Sequence, residues 1–290
     1  MTGMPLAIES ASPTERLMNY CFTEYEPIAP TDGKLKSSNL LFQTFTNNNM
    51  SEKLFTLVQL IRTAFGESNS VWGTKWDGHE LRWEFYFYDY RRRERQRSIS
   101  LFIEAISSLA DCSITINENL PYFMFSVDIN SKLLADSGEL NEIHLYMGNV
   151  ASNVSSGICY SLTENSKHLE NIYYFLDAQK HHDAIIAKIC CSAIVDIAKQ
   201  DVATILWPEL ARCRTICIAN KQENDCIYFS GITVDQLVFF LNRLNYPAEI
   251  ISYIGTNRAD LDYMLYDVGF DYRMEKSELV IVKSGYYGVF

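Results

Sequence analysis

Apolar and polar residues alternate along this chain with two different periods. In residues 81–90 the period is two: Leu81, Trp83, Phe85 and Phe87 share one face of a strand, and Arg82, Glu84, Tyr86 and Tyr88 share the other. Residues 71–76 precede it across Asp77-Gly78, a strong hairpin-turn signal, so the two segments predict an antiparallel pair. Four further pairs follow, at 122–129 with 142–147, 157–162 with 169–177, 214–220 with 225–230, and 267–273 with 279–287. In the second pair Phe123, Phe125, Val127 and Ile129 alternate with Met124, Ser126 and Asp128.

The other period is helical. Leu54, Leu57, Val58 and Ile61 predict a helix from Ser51 to Phe65, ended by Gly66. Ile99, Phe102, Ile103 and Ile106 predict a second, after the basic run 91–97, which reads as a solvated helix start because Arg alternates with Glu94 and Gln96. A broad apolar stripe predicts a helix over 181–199, Thr233 caps another over 234–244, and a helical stretch covers 249–266. Residues 1–50 carry no chemistry: a short helix opens at Pro13-Thr14-Glu15 and a polar tract at 46–49 closes the segment. The expected organisation is an N-terminal segment, 1–50, packed on one domain, 51–290.

Ten strands in five successive hairpins, most of them flanked by helices, form an internal repeat. Up-and-down strands remove their edges by closing, so the expected fold is α+β: a ten-stranded antiparallel barrel inside a ring of helices. Apolar outer faces then pack on the helices, and the inner faces are free to be polar and aromatic, as in 81–90.

Composition narrows the function classes. The chain has 290 residues, 48% hydrophobic and 13% aromatic, enough for a large core, and its formal charge of -11 disfavours nucleic acid and anionic membranes as partners. No signal peptide or membrane-length apolar run stands out, so a cytoplasmic location is expected. Eight cysteines lie mostly in apolar runs and read as buried free thiols, without zinc-ligand spacing. Phosphate-loop and dinucleotide fingerprints are absent. Thiol chemistry would need a cysteine beside a histidine, and Cys159 and His144, on neighbouring hairpins, are a candidate pair. His181 and His182 diverge on a helix and suit a solvated first turn better than paired ligation.

Several local patterns carry a resemblance: Thr215-Ile216-Cys217-Ile218, then Ile227-Tyr228-Phe229-Ser230-Gly231, then Leu241-Asn242-Arg243-Leu244-Asn245-Tyr246-Pro247, and at the end Val282-Lys283-Ser284-Gly285-Tyr286-Tyr287-Gly288. With the repeat of hairpins and helices, over about Ser51 to Phe290, the chain resembles the ABBA, or PT-barrel, aromatic prenyltransferases. The resemblance implies transfer of a prenyl group from an allylic prenyl diphosphate to an aromatic small molecule by electrophilic substitution. Lys75, Arg82, Arg273 and Lys283 would then hold the diphosphate. Tyr86, Tyr146, Tyr173, Tyr228 and Tyr287 would shield the allylic cation, and Glu84 would serve as the catalytic carboxylate. Tyr286 and Tyr287 point to opposite faces, so one of them at most lines the barrel. No cofactor or metal is required by this reading, and no Asp-rich DDxxD cluster is present to bind magnesium; Asp260, Asp262 and Asp267 read as a helix surface. The alternative is a non-catalytic barrel whose tyrosine-rich face binds a hydrophobic ligand or a protein partner.

Overall fold

The computed structural model describes residues 8–46, 51–90, 94–148, 155–196 and 200–290. Ten antiparallel strands close into one barrel: β1 (Ser70–Trp76), β2 (Leu81–Tyr88), β3 (Met124–Ile129), β4 (Ile143–Gly148), β5 (Ser155–Leu162), β6 (Lys167–Asp177), β7 (Thr215–Lys221), β8 (Asp225–Ile232), β9 (Tyr266–Glu275) and β10 (Glu278–Val289). Every strand pairs with its neighbours in sequence, and β10 returns to pair with β1, Tyr287 opposite Gly73. The five hairpin turns therefore share one end of the barrel. The expected closed α+β barrel of five hairpins is what forms.

Strand alternation sorts the apolar residues into two separate clusters. The larger lies between the barrel's outer face and the helices, where Trp72, Phe85, Phe87, Phe125, Phe229 and Phe270 are fully buried. The helices are α1 (Ser38–Phe45), α2 (Ser51–Phe65), α3 (Ile99–Ile106), α4 (His182–Cys190), α5 (Val234–Arg243), α6 (Ala248–Thr256) and α7 (Arg258–Leu261). Their starts are set locally: the Ser98 hydroxyl accepts from Leu101 N at the head of α3, and Thr233 and Gln236 form a reciprocal capping box on α5. The smaller cluster, including Val71, Tyr88, Tyr146, Cys159 and Tyr287, lines the lumen.

Several expectations are corrected. Pro13-Thr14-Glu15 opens no helix; the segment forms a turn and then a two-residue ribbon, Leu17–Met18 on Glu24–Tyr25, while α1 was not anticipated. Of the polar tract 46–49, residues 47–49 lie outside the described residues. The helix expected over 181–199 stops at Cys190, since Ser192 turns the chain by accepting from Ile194 N and Val195 N; Ile197 lies outside the described residues. The stretch 249–266 is broken at Asn257 into α6 and α7, and Tyr266 already belongs to β9. Asp267 is accordingly a buried strand residue, not part of a helix surface. Residues 91–93 of the basic run are not described, but Arg95 and Arg97 are half-buried fasteners rather than a solvated helix start: Arg95 stacks on Tyr122 and bonds Asp89, and Arg97 bonds the Tyr88 carbonyl and Asn69. The cysteines are free, but Cys190 and Cys191 are exposed rather than buried.

Residues 19–23 pack into the barrel end opposite the hairpin turns. The Tyr20 carbonyl accepts from Tyr88 Oη at 2.6 Å, the Cys21 carbonyl accepts from Tyr90 Oη at 2.7 Å, and Phe22, held at φ 57°, packs on Tyr88 with ring centroids 4.9 Å apart. Tyr20 N donates to Asp267 Oδ2 at 2.7 Å and Gly231 N to Asp267 Oδ1 at 3.1 Å, so this buried carboxylate ties the plug to β8 and β9.

Burial pushes Asp267 up from the usual 3.8 to about 6. The native state therefore holds this proton more tightly than the unfolded chain does. The resulting stabilisation is fully present below about pH 4 and is lost as the pH rises through about 6, a change on the order of 3 kcal/mol. Urea unfolding at pH 4.5 and pH 7.5 should show wild type losing stability relative to Asp267→Asn over that interval. The same shift in both proteins would exclude Asp267 as the source.

Candidate functional site

Five tyrosines form a closed girdle across the lumen, one from each hairpin. Neighbouring ring centroids are 6.5 Å apart from Tyr86 to Tyr146, 5.9 Å from Tyr146 to Tyr173, 6.5 Å from Tyr173 to Tyr228, and 6.0 Å for both Tyr228 to Tyr287 and Tyr287 to Tyr86. All five are the tyrosines named from alternation. They sit on even-spaced inner positions of β2, β4, β6, β8 and β10, so each hairpin contributes one ring at the same height. Burial raises all five phenols, which keeps them neutral and able to donate. Tyr286 faces outward instead, against Trp72 and Tyr246.

Glycines opposite the rings make this arrangement possible. Tyr228 pairs with Gly269, and a Cβ there would lie 2.4 Å from Tyr228 Cδ1. Tyr287 pairs with Gly73, where a Cβ would come within 2.8 Å of the ring. The rings can therefore lie against the barrel wall and leave the lumen open. The alternation of residue types located the tyrosines; the cross-strand glycines that seat them emerge only with the register.

The girdle divides the lumen into two chambers. The chamber beneath it, of about 470 Å³, is aromatic, lined by Tyr88, Phe123, Met124 and Phe175 among others and stopped by Tyr20 of the plug. Tyr20 lies 6.1 Å from Tyr228 and 6.0 Å from Tyr287. The chamber on the hairpin side, of about 450 Å³, is polar and contains Lys75, Lys221 and Lys283 with five carboxylates. Each chamber has the size of a small-molecule pocket.

The charges of the polar chamber are grouped rather than scattered. Lys75 pairs with Glu84 and, at 3.0 Å, with Asp128. Burial opposes its charge, but the two carboxylates outweigh burial and hold its pKa well above the usual value. Glu84 is buried and also accepts from Tyr86 Oη at 2.6 Å and Ser126 Oγ at 2.5 Å, so it anchors a girdle tyrosine. Asp271 accepts from Lys221 Nζ at 2.7 Å and Asn224 Nδ2 at 2.8 Å. Burial opposes its ionisation, but Lys221 and Lys283 overcome it and bring its pKa down to about 2. Lys283 Nζ stands 3.6 Å from Asp271 Oδ2 and has no hydrogen-bond partner among the described residues.

Two of the four cations expected at the site are elsewhere. Arg82 is exposed at the hairpin turn and pairs with Asp77 at 2.9 Å and Glu80 at 3.2 Å. Arg273 is paired with Glu275 at 2.6 Å near the β9–β10 turn and lines neither chamber. Lys221 and Asp271 were missed, although both fall on the inner period of their strands, Cys217-Ala219-Lys221 and Asp267-Gly269-Asp271. Burial pushes the Cys159 thiol up, the reverse of an activated nucleophile, and the register places it opposite Tyr146 rather than His144. His181 uses Nδ1 to accept from Asp177 N at the start of α4. Among the described residues no three His, Cys, Asp or Glu side chains converge to hold a metal, and no helix is long and apolar enough to cross a membrane.

No known family model matches the chain. It is similar to the "Putative JmjC domain-containing protein L887" of Acanthamoeba polyphaga mimivirus, with 21% identity over 300 residues covering 90% of this chain and 47% of that protein. The chain thus spans about half the length of the curated relative it matches. This finding overturns the expectation of prenyl transfer from a diphosphate to an aromatic acceptor: the relative carries a JmjC name, not that of a prenyltransferase. The polar chamber agrees with the correction, because three lysines among five carboxylates leave little positive charge for a diphosphate.

Proposed function

We propose that the barrel is a binding chamber for one small amphiphilic molecule. Its flat apolar body passes through the tyrosine girdle, and its oxygen-bearing head reaches Lys283. The observation that carries this reading is the closed ring of five tyrosines between an aromatic chamber and a polar one. Tyrosine rings offer apolar faces to a flat ligand at little entropic cost. Lys283, the lumen lysine without a hydrogen-bonded carboxylate, is the donor left for the head group.

The relative's name brings a second, enzymatic reading, since JmjC domains are cupin-like and typically 2-oxoglutarate-dependent iron oxygenases. Such a centre needs two histidines and a carboxylate facing open positions. The described residues contain no cluster that fits. Strand order also differs: a cupin is a jelly roll built from Greek keys, whereas here every strand pairs with its sequence neighbours.

Calorimetric titration with 2-naphthoate, a flat anionic aromatic probe, tests the chamber. One equivalent should bind, and Tyr228→Ala should weaken binding about tenfold, the size of a lost aromatic contact of about 1.5 kcal/mol. Absence of saturable binding, or binding indifferent to Tyr228→Ala in a folded variant, would exclude the lumen as the site.

A further inference from the structure

We infer that Lys283 is a carbonyl-reactive amine, which condenses with an aromatic aldehyde or ketone held in the lumen to form an imine. The inference deepens the chamber reading and rests on it. It names carbonyl compounds as the class that this amine can fix covalently.

Lys283 is placed for this by its strand. On β10 the positions Lys283, Gly285 and Tyr287 share the inner face, so the amine lies two steps from a girdle tyrosine. Gly285 removes the side chain that would separate them; a Cβ there would meet Tyr287 Oη at 3.0 Å. A flat body lodged against the rings on the hairpin side therefore presents a substituent to Nζ past Tyr287 Oη, the group that lies over Gly285.

The three lumen lysines differ in what they already hold. Lys75 is locked to Glu84 and Asp128, and Lys221 donates to Asp271 at 2.7 Å. Lys283 is left at 3.6 Å from an aspartate that Lys221 and Asn224 already occupy. Its side chain retains 42% of its exposure and lines both the polar chamber and a cleft at the hairpin end beside Trp76, Asp77 and Arg82. Repulsion from Lys75, followed by burial, lowers its pKa below that of an ordinary lysine, with Asp271 opposing. An amine beside another cation inside a cavity is a recognised way to make lysine nucleophilic.

The step balances without any further reagent. The neutral amine attacks the carbonyl carbon, the carbon–oxygen double bond opens to a carbinolamine, and the oxygen leaves as water with two protons. Counted from the ammonium form, RNH3+ and a carbonyl give a protonated imine and water, so one positive charge persists at nitrogen. Asp271, whose pKa lies near 2, remains as the counter-charge 3.6 Å away.

The test uses 2-naphthaldehyde with cyanoborohydride at neutral pH, which reduces the imine to a stable secondary amine, followed by peptide mass spectrometry. Lys283 should be labelled at least tenfold faster than Lys276, an exposed turn lysine, and excess 2-naphthoate should protect it. Lys283→Arg should remove this label while leaving that of Lys276. If 2-naphthoate binds but Lys283 is labelled no faster than Lys276, the imine inference is overturned and the chamber stands. If 2-naphthoate does not bind and no preference for Lys283 is seen, both fall.

Discussion

Replacing Asp271 by alanine is expected to destabilise the fold by about 3–5 kcal/mol, the range found when one partner of a buried ion pair is removed. Asp271 is buried on the inner face of β9 and is the only acceptor within hydrogen-bonding reach of Lys221 Nζ among the described residues. Alanine would leave Lys221 buried without a counter-charge and would strip Lys283 of its nearest carboxylate. The penalty should fall when Lys221 is also replaced by methionine, because the stranded charge goes with it. Ionisation of Asp271 gives a second readout. Its folded pKa of about 2 lies below the usual 3.8, so its contribution is present above about pH 4 and is lost as the pH falls through 2. That contribution is about 2 kcal/mol, smaller than the alanine penalty because protonation still leaves a hydrogen-bonding group in place. Urea midpoints of the two single variants and the double variant, measured at neutral pH, decide the matter. An Asp271→Ala loss under 1 kcal/mol, or a double variant less stable than either single one, would mean that the lysines find other partners.

The same aspartate shows where reading the sequence stopped. Alternation identified all ten strands because each inner and outer face has a distinct residue palette: Trp83, Phe85 and Phe87 outside, Glu84, Tyr86 and Tyr88 inside. It also placed the five girdle tyrosines, since parity alone fixes the face of a side chain. Parity does not fix height along the barrel. Arg82 and Arg273 have inward parity but sit at the turns, where adjacent acids in their own hairpins capture them. Lys221 occupies a similar height but is drawn inward by Asp271, an acid from another hairpin, a contact that requires the β8–β9 ladder to be known. Closure of β10 on β1 is likewise nonlocal and is written in no single segment. The plug was invisible for a different reason: residues 19–23 have no periodicity, and their placement depends on the Tyr20 and Gly231 amides converging on Asp267. The succession of five hairpins carried the architecture's outline, but an activity depends on site chemistry, and the carboxylates in this chamber differ from what a diphosphate requires.

Gly269→Ala should abolish 2-naphthoate binding, with an expected loss of at least a hundredfold, while the barrel remains folded. The new Cβ would stand 2.4 Å from Tyr228 Cδ1, 2.9 Å from Cε1 and 3.0 Å from the Ile227 carbonyl oxygen. The backbone contact limits how far β9 can retreat, so the Tyr228 ring must leave the wall. Tyr173 and Tyr287 stand on either side at 6.5 and 6.0 Å, and Tyr20 lies 6.1 Å away, which leaves the lumen as the free direction. A ring displaced there narrows the passage through the girdle that the ligand body needs. Overpacking of this kind costs about 1–3 kcal/mol of stability, which a protein of this size can absorb. Gly255→Ala, on the exposed face of α6, provides the control, since a Cβ at that position meets nothing within 4 Å among the described residues. Titration of the two folded variants separates the outcomes: loss of binding in Gly269→Ala alone places the ligand at the girdle, whereas full affinity in both would require a site outside the lumen.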